Sequence, residues 1–128
     1  MIFADSSFFV GLVDARDQWH SRAVRVVQTL SKEIIVSDLV VAESITIVGS
    51  RAGGKAALTL YQYFRDSCTV DFADSALFDA AMAAHTRYDG KLSLADCVSL
   101  TIMARRKVSR IVSFDTDFDR VNGLERIS

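Results

Sequence analysis

The sequence contains few of the residues that mark disulfide-rich or zinc-binding proteins. Its 128 residues include two cysteines, two histidines and no proline. Cys68 and Cys97 lie in apolar segments and have no metal-binding spacing, which argues against a disulfide framework and against a zinc site. The absence of proline has no physical explanation in the sequence.

Long apolar segments and a strong net charge are also absent. No apolar run reaches the roughly 18 residues that a membrane span requires. The first residues, M-I-F-A-D, lack the basic start and the cleavage site of a signal peptide. We therefore expect a reduced, cytoplasmic protein with no membrane contact. The net charge of −1 gives no general attraction to nucleic acid.

Apolar strands alternate with amphipathic helices along the chain. Half of the residues are hydrophobic, which is enough for one core, and we predict a single domain over residues 1–128. The alternation indicates an α/β fold, with a parallel sheet covered by helices on both faces. We predict strands at 1–4, 33–36, 68–72, 110–114 and 124–127. Helices are predicted at 8–13, 17–31, 39–48, 56–66 and 75–88 and within 91–107.

The last of these helices contains an unexpected charge. Residues 94–104 are apolar on almost all sides, as in a helix buried against a sheet. Asp96 nevertheless stands in the first turn, where an unpaired charge costs several kcal/mol. Two interpretations remain open at this point. Asp96 either forms a capping box with Ser93 or points at a cation that it shares with other acids.

Three more carboxylates are expected at the same edge of the sheet. Asp5 ends the first strand and Asp115 ends the fourth, and ligands bind outside the carboxyl ends of parallel strands. The helices that follow strands begin at that edge, which adds Glu43 and Asp96. Taken singly, Asp5 can be a helix cap and Asp115 a turn residue. Glu43, inside an apolar helix, has no such explanation.

A divalent cation would account for all four acids together. Clustered carboxylates repel one another at neutral pH unless a counter-ion is present. Mg²⁺ and Mn²⁺ prefer oxygen ligands and commonly partner phosphates. The sequence therefore predicts an edge that activates a water for attack on a phosphodiester.

These motifs together resemble the PIN domain. M-I-F-A-D-S-S, a lone glutamate in an apolar helix, S-L-A-D-C and V-S-F-D-T-D-F follow in that family's order over the whole chain. Within the family the chain resembles the VapC-like ribonuclease toxins of type II toxin–antitoxin systems. The resemblance implies a five-stranded parallel sheet in the order 3-2-1-4-5. It also implies Mg²⁺- or Mn²⁺-dependent endoribonuclease activity, a homodimer and a cognate antitoxin.

The resemblance also assigns roles to individual residues. It implies that four acids are catalytic and bind the metal, namely Asp5, Glu43, Asp96 and Asp115. It implies supporting roles for three neighbours, namely Ser6, Ser113 and Asp117. Lys91 and Arg87, near the start of the last long helix, are weaker candidates for contact with RNA phosphates.

The sequence also contains a partial match to a nucleotide-binding motif. Residues 49–55 match most of a P-loop, but Ala56 stands where serine or threonine is needed and a helix precedes the motif. This predicted loop is basic and is either a solvated turn or a contact for phosphates or a partner. For the whole chain, the alternatives are a non-catalytic PIN-like scaffold that binds RNA or protein, and a housekeeping RNA-processing nuclease.

Overall fold

A computed structural model describes residues 1–30 and 33–128, and it confirms the predicted parallel sheet. Five strands pair in the order β3-β2-β1-β4-β5, and every pairing between neighbours is parallel. The strands are β1 (Ile2–Ala4), β2 (Ile34–Ser37), β3 (Cys68–Asp71), β4 (Arg110–Val112) and β5 (Glu125–Ile127).

Helices connect the strands, as an all-parallel sheet requires. In the described residues they are α1 (Ser6–Val13), α2 (His20–Thr29), α3 (Asp38–Ala52), α4 (Gly54–Ser67), α5 (Ser75–Arg87) and α6 (Leu94–Arg106). A short 3₁₀ helix, Thr116–Arg120, lies between β4 and β5. No helix in these described ranges is long and apolar enough to cross a membrane.

The direction of the chain across the sheet changes once. It moves outward from β1 to β2 to β3 and then returns to the other side of β1 to form β4. Because such crossovers are right-handed, α1–α4 and α5–α6 cover opposite faces. The contacts agree, since α1 packs on α2 and α3, α3 packs on α4, and α5 packs on α6. The strand order therefore reverses between β1 and β4, where ligands of open parallel sheets bind.

Aromatic side chains fill the core on the α1–α4 side of the sheet. Phe9, near the middle of α1, is fully buried, and its ring meets the Phe64 ring of α4 edge to face at 4.7 Å between centroids. Phe3 of β1 is also inaccessible to solvent. This packing holds α1, and with it the residues that begin the helix, rigidly on the sheet.

Several predicted boundaries are wrong by a few residues. Ser6 and Ser7 belong to α1 and do not form a separate turn, because the Asp5 side chain caps the helix by accepting from the Ser6 N–H at 2.7 Å. The second helix begins at His20, since 17–19 form a turn. Its predicted end, Ser31, lies outside the described residues.

The predicted loop at 49–55 is the largest error. Helix α3 continues to Ala52, and only Gly53 separates it from α4. Gly53 adopts a φ of +93°, a conformation that suits glycine and ends the helix there. The chain thus turns through one residue instead of seven. A nucleotide-binding P-loop is incompatible with this helical structure.

Candidate active site

A cavity of about 450 Å³ opens at the carboxyl edge of the sheet. Its lining contains all four acids that the sequence predicts, together with Ser6 and Asp117. The acids come from four segments that are far apart in sequence. They are Asp5 after β1, Glu43 in α3, Asp96 in α6 and Asp115 after β4.

Asp5 is the most firmly held of these acids. Its side chain is buried, with 8% of the residue exposed. One carboxylate oxygen accepts from the Ser6 N–H at 2.7 Å, and the other accepts from the hydroxyls of Ser7 at 3.0 Å and Ser113 at 2.7 Å. Hydrogen bonds to both oxygens fix the orientation of the carboxylate before any ligand arrives.

The segment after β4 is tied to β1 through the same hydroxyls. The Asp5 N–H donates to the Val112 carbonyl at 3.0 Å, which places Ser113 next to Asp5 in the parallel register. The Ser113 hydroxyl also accepts from the Asp115 N–H at 3.0 Å, and the Ser7 hydroxyl accepts from the Phe114 N–H at 2.9 Å. Two serines therefore join the segments that carry Asp5 and Asp115.

Asp115 caps the 3₁₀ helix and remains at the cavity. Its carboxylate accepts from the Asp117 N–H at 2.9 Å, which leaves its second oxygen for other ligands. Asp117 also lines the cavity, but its side chain is 47% exposed and approaches Arg120 at 3.7 Å. Asp115 is thus a turn residue, as one interpretation of the sequence allowed, and it also lines the cavity.

Asp96 is destabilised as an anion by its surroundings. Burial, and then the negative charges of Asp5 and Asp115, raise the pKa of Asp96 to about 6, while hydrogen bonding with Ser93 opposes the rise. Ser93 caps α6, since its hydroxyl accepts from the Asp96 N–H at 3.0 Å. The helix cap and the acid cluster therefore coexist at this position, and the two interpretations of the sequence are not exclusive.

Glu43 approaches the cavity from α3. The residue is exposed overall, but it lines the cavity together with Ile47 and Arg51, which follow at intervals of four residues on one face of the helix. Glu43 is not among the charges that shift the pKa of Asp96. We infer that it stands at the rim, while the other three acids lie deeper.

The residues at this site suit a hard divalent cation. The side chains that the structure describes around the cavity offer carboxylate and hydroxyl oxygens but no thiol or imidazole. Within residues 1–30 and 33–128, no three acid, histidine or cysteine side chains are close enough to enclose an ion by themselves. Mg²⁺ does not need such a cage, because it keeps several waters and takes one or two carboxylates. Nearby positive charge would also stabilise Asp96 as an anion.

Two predicted phosphate contacts do not join this cluster. Arg87 lines a different cavity, between α5, α6 and the turn before β5, and Lys91 is exposed and lines neither cavity. Both residues precede α6 in sequence, and neither is among the side chains that line the acid cavity. Contact of Arg87 or Lys91 with RNA phosphates stays a prediction.

Four residues that sequence reasoning did not place at the site contribute to it. Ser7 holds Asp5, and the turn after α1 supplies Asp17 and Trp19 to the cavity wall, where Trp19 stacks on Phe114 at 5.2 Å between centroids. Arg51 completes this wall. Two of them carried a signal in the sequence. Ser7 stands two residues after a predicted acid at a helix start, and Arg51 belongs to the basic segment 49–55, for which contact with phosphates was one interpretation.

Comparison with known proteins agrees with the geometry. The model of the PIN domain family matches residues 2–124. The chain belongs to the PIN domain family. Its fold, with the strand order β3-β2-β1-β4-β5, was thus correctly predicted from the resemblance.

Individual PIN proteins cover nearly the whole chain. The 23S rRNA-specific endonuclease VapC20 of Mycobacterium tuberculosis is 27% identical over 127 residues, which span 98% of this chain and 97% of that one. The crystal structure of VapC20, described as a Sarcin-Ricin loop cleaving toxin, has a TM-score of 0.87 at 26% identity over 95% of both chains. A toxin–antitoxin complex from Klebsiella pneumoniae has a TM-score of 0.76 at 13% identity, over 100% of this chain and 97% of that one. The last likeness concerns the fold alone.

Proposed function

We propose that this PIN-domain protein is a Mg²⁺- or Mn²⁺-dependent endoribonuclease of the VapC type, the toxin of a toxin–antitoxin pair. The observation that carries the proposal is the meeting of Asp5, Glu43, Asp96 and Asp115 at one cavity. Its likeness to VapC20, which is named as a ribosomal RNA endonuclease, supports RNA as the substrate class.

The four acids have different proposed roles in metal binding, according to their surroundings. Asp5, fixed by three side-chain and backbone donors, is the proposed anchor for the cation, and Asp115 offers its second oxygen beside it. Asp96 and Glu43 would hold the cation or the waters around it. When bound, a divalent ion makes a water more acidic and neutralises charge that develops on the phosphodiester oxygens.

The supporting residues act through these acids. Ser113 and Ser6 orient Asp5, and Asp117 fixes Asp115 through its N–H. The apolar helix around Asp96 excludes water on one side, so that the carboxylate stays in place while substrate binds. No role in this scheme is proposed for Arg87, and Lys91 is left as a contact outside the cavity.

Two partners complete the proposal. Solved toxin–antitoxin complexes share this fold, which supports a cognate antitoxin that blocks the cavity. A homodimer is proposed as well, because Leu58, Tyr61 and Phe72 present exposed apolar surface. The proposed setting of the pair is the cytoplasm.

Cleavage of RNA by metal-site variants tests the enzymatic part. We expect Asp5→Ala and Asp96→Asn to abolish Mn²⁺-dependent cleavage of ribosomal RNA while circular dichroism shows an unchanged fold. Asp79→Asn is the matched control, since Asp79 is an exposed acid of α5 that does not line the cavity. Cleavage by either cavity variant at the wild-type rate contradicts the assignment.

Metal binding separates the enzyme from a scaffold. Titration with Mn²⁺ should raise the melting temperature of the wild type, and Asp96→Asn should remove most of that rise. No rise in the wild type, together with retained RNA binding, favours the non-catalytic scaffold. Co-expression with the small protein encoded by the adjacent gene tests the toxin role, because a cognate antitoxin should co-purify with this chain and suppress its cleavage of RNA.

A further inference from the structure

The charges around the cavity are unevenly distributed. Six carboxylates line it, and Arg51 is the only lysine, arginine or histidine among the lining residues in the part of the chain that the structure describes. A metal ion neutralises charge at the point of cleavage, but RNA brings phosphates on both sides of the scissile one. These flanking phosphates would face carboxylates, and a cation within the same wall would relieve that repulsion.

Arg51 is placed beside the acids by its position on α3. It lies in the last turn of the helix, eight residues after Glu43 and on the same face, and Ile47 between them also lines the cavity. Eight residues of helix span about 12 Å along the axis. Along the helix axis Arg51 therefore lies well away from Glu43, at a separation that suits a phosphate flanking the scissile one.

Neighbouring carboxylates hold the guanidinium in place. One nitrogen of Arg51 donates to Asp17 at 3.0 Å and lies 3.7 Å from Asp14, and the Arg51 carbonyl accepts from Arg16 at 2.6 Å. Within the described residues, the other guanidinium nitrogens make no hydrogen bond. The side chain is 47% exposed. The side chains of Asp17 and Asp14 are largely covered, with 12% and 6% exposed, whereas the guanidinium reaches solvent. The pairing therefore fixes one nitrogen of Arg51 and leaves its other donors open to a ligand.

We propose that Arg51 is a substrate-binding residue that donates to an RNA phosphate flanking the scissile bond. This inference rests on the proposed ribonuclease function and deepens it. Arginine suits the role because its rigid fork can hold Asp17 with one nitrogen and a phosphate with the others.

Binding and cleavage by four variants test the proposal. The variants are Arg51→Gln, Arg51→Lys, Asp17→Asn and, as the matched control, Arg105→Gln. Arg105 is also an exposed arginine in the last turn of a helix, and it does not line the cavity. Binding of a short fluorescein-labelled single-stranded RNA is measured by anisotropy with Ca²⁺ in place of Mn²⁺, over a range of salt concentrations. Cleavage is then followed with Mn²⁺.

The expected pattern is a loss of binding with little loss of turnover. Arg51→Gln should weaken RNA binding and raise KM about tenfold, with kcat within about threefold of the wild type. The slope of log affinity against log salt should fall by about 0.7, the value for one phosphate contact to a single strand. Arg51→Lys should lose part of the affinity, because lysine lacks the fork. Arg105→Gln should match the wild type in every measurement.

Asp17→Asn distinguishes phosphate contact from a structural role. If Arg51 served only to pair with Asp17, both substitutions would have the same effect on RNA affinity. A phosphate contact predicts no loss of RNA affinity in Asp17→Asn. The substitution removes a negative charge, while the amide oxygen can still accept from Arg51 and Asp14 remains 3.7 Å away, so that binding stays equal or tightens. The inference is overturned if Arg51→Gln and Asp17→Asn lose RNA affinity equally. It is also overturned if the slope of log affinity against log salt is unchanged in Arg51→Gln.

The two measurements also separate this inference from the proposed function. If the wild type cleaves RNA and the KM of Arg51→Gln equals that of the wild type, the role of Arg51 is overturned and the proposed nuclease function stands. RNA binding that depends on Arg51, without cleavage by the wild type, overturns the nuclease and retains the phosphate contact. A wild type that neither binds nor cleaves RNA overturns both.

Discussion

The Ser113 hydroxyl donates to the Asp5 carboxylate at 2.7 Å, and 108 residues of sequence separate the two. Ser113 itself is fully buried, and its N–H donates to the Ile127 carbonyl of β5 at 3.1 Å. The hydroxyl thus stands on a backbone that is paired with both neighbouring strands. The orientation of Asp5 is set by the register of the sheet, and not by its own segment alone.

Removal of this hydroxyl should reduce activity more than stability. In Ser113→Ala, Asp5 keeps its bonds to Ser6 and Ser7 but loses the hydrogen bond from the segment after β4, and the Asp115 N–H loses its acceptor. Loss of a hydrogen bond to a metal ligand typically costs about 10- to 100-fold in activity or metal affinity. We expect a similar loss in kcat/KM for RNA cleavage, with about 1 kcal/mol lost from the free energy of unfolding.

Two substitutions provide the comparison for Ser113→Ala. Ser113→Thr keeps the donor and should keep most of the activity. Ser44→Ala removes another buried serine hydroxyl, one that has no hydrogen-bond partner in the described structure, and it should leave cleavage unchanged. Equal activity of Ser113→Ala and the wild type contradicts the positioning role.

The four acids were predictable because each lies at the end of a strand or near the start of a helix. A parallel sheet gathers those positions at one edge whatever its detailed register. The wall opposite the acids was not predictable in this way. Asp17 and Arg51 meet only because the turn before α2 packs against the end of α3, and no local pattern encodes that packing.

The length of α3 was underestimated for a related reason. Gly49, Gly53 and Gly54 in one short stretch suggested a loop, since glycine disfavours helix interiors by about 1 kcal/mol each. Contact between α3 and α4 outweighs that cost, and the missing side chain of Gly49 faces Ala57, whose Cβ would lie 3.6 Å from an added Cβ. Tertiary packing thus overrode local propensity.

Gly53 should be the only glycine of this stretch that is hard to replace. Its φ of +93° strains any side chain, although an added Cβ would meet no atom within 4 Å. Gly53→Ala should therefore lower the free energy of unfolding by about 1 kcal/mol or more through the backbone alone. Urea unfolding followed by circular dichroism measures the change.

Gly54→Ala is the matched control for this substitution. Gly54 also has open space around it, but its φ is not positive and it begins α4. Alanine there should be neutral or stabilise the protein by up to about 1 kcal/mol. A loss in Gly54→Ala as large as that in Gly53→Ala would show that the positive φ of Gly53 is not what limits replacement in this turn.

The pair of Arg106 and Asp71 should contribute to stability. Two nitrogens of Arg106 donate to the two oxygens of Asp71 at 2.6 Å each, joining the end of α6 to the end of β3. The Asp71 hydrogen bonds raise the pKa of Arg106. Since Asp71 lies 35 positions before Arg106, no local pattern around residues 105–107 indicates this pair.

Substitution by lysine tests the geometry of that pair at constant charge. Arg106→Lys loses the fork and should lower the free energy of unfolding by about 1 kcal/mol, with less effect at high salt. Arg105→Lys, one residue earlier and exposed, should change stability by less than about 0.5 kcal/mol. The urea midpoint of each variant gives the comparison, and equal midpoints would exclude a contribution from the bidentate geometry.

Asp96 should make the metal-free protein less stable as the pH rises. Its pKa rises from 3.8 to about 6 in the folded chain, so the folded state binds the proton more tightly than the unfolded state. Between about pH 4 and pH 6 the folded state therefore holds more protons, and stability falls with increasing pH. Above that pH window the protein is destabilised in full, because the buried Asp96 carboxylate is then charged beside Asp5 and Asp115.

Asp96→Asn should remove this penalty. With chelator present at about pH 7.5, the free energy of unfolding of the variant should exceed that of the wild type by about 1 kcal/mol, and the variant should melt a few degrees higher. This value allows for solvent screening of a partly exposed group. Near pH 4 the gain should vanish, since the wild-type carboxyl is then protonated in the folded state. Asp79→Asn, an exposed acid outside the cavity, should show no such pH dependence. A variant that melts below the wild type at about pH 7.5 would mean that Asp96 stabilises the fold as an anion, and the strain attributed to the acid cluster would be absent.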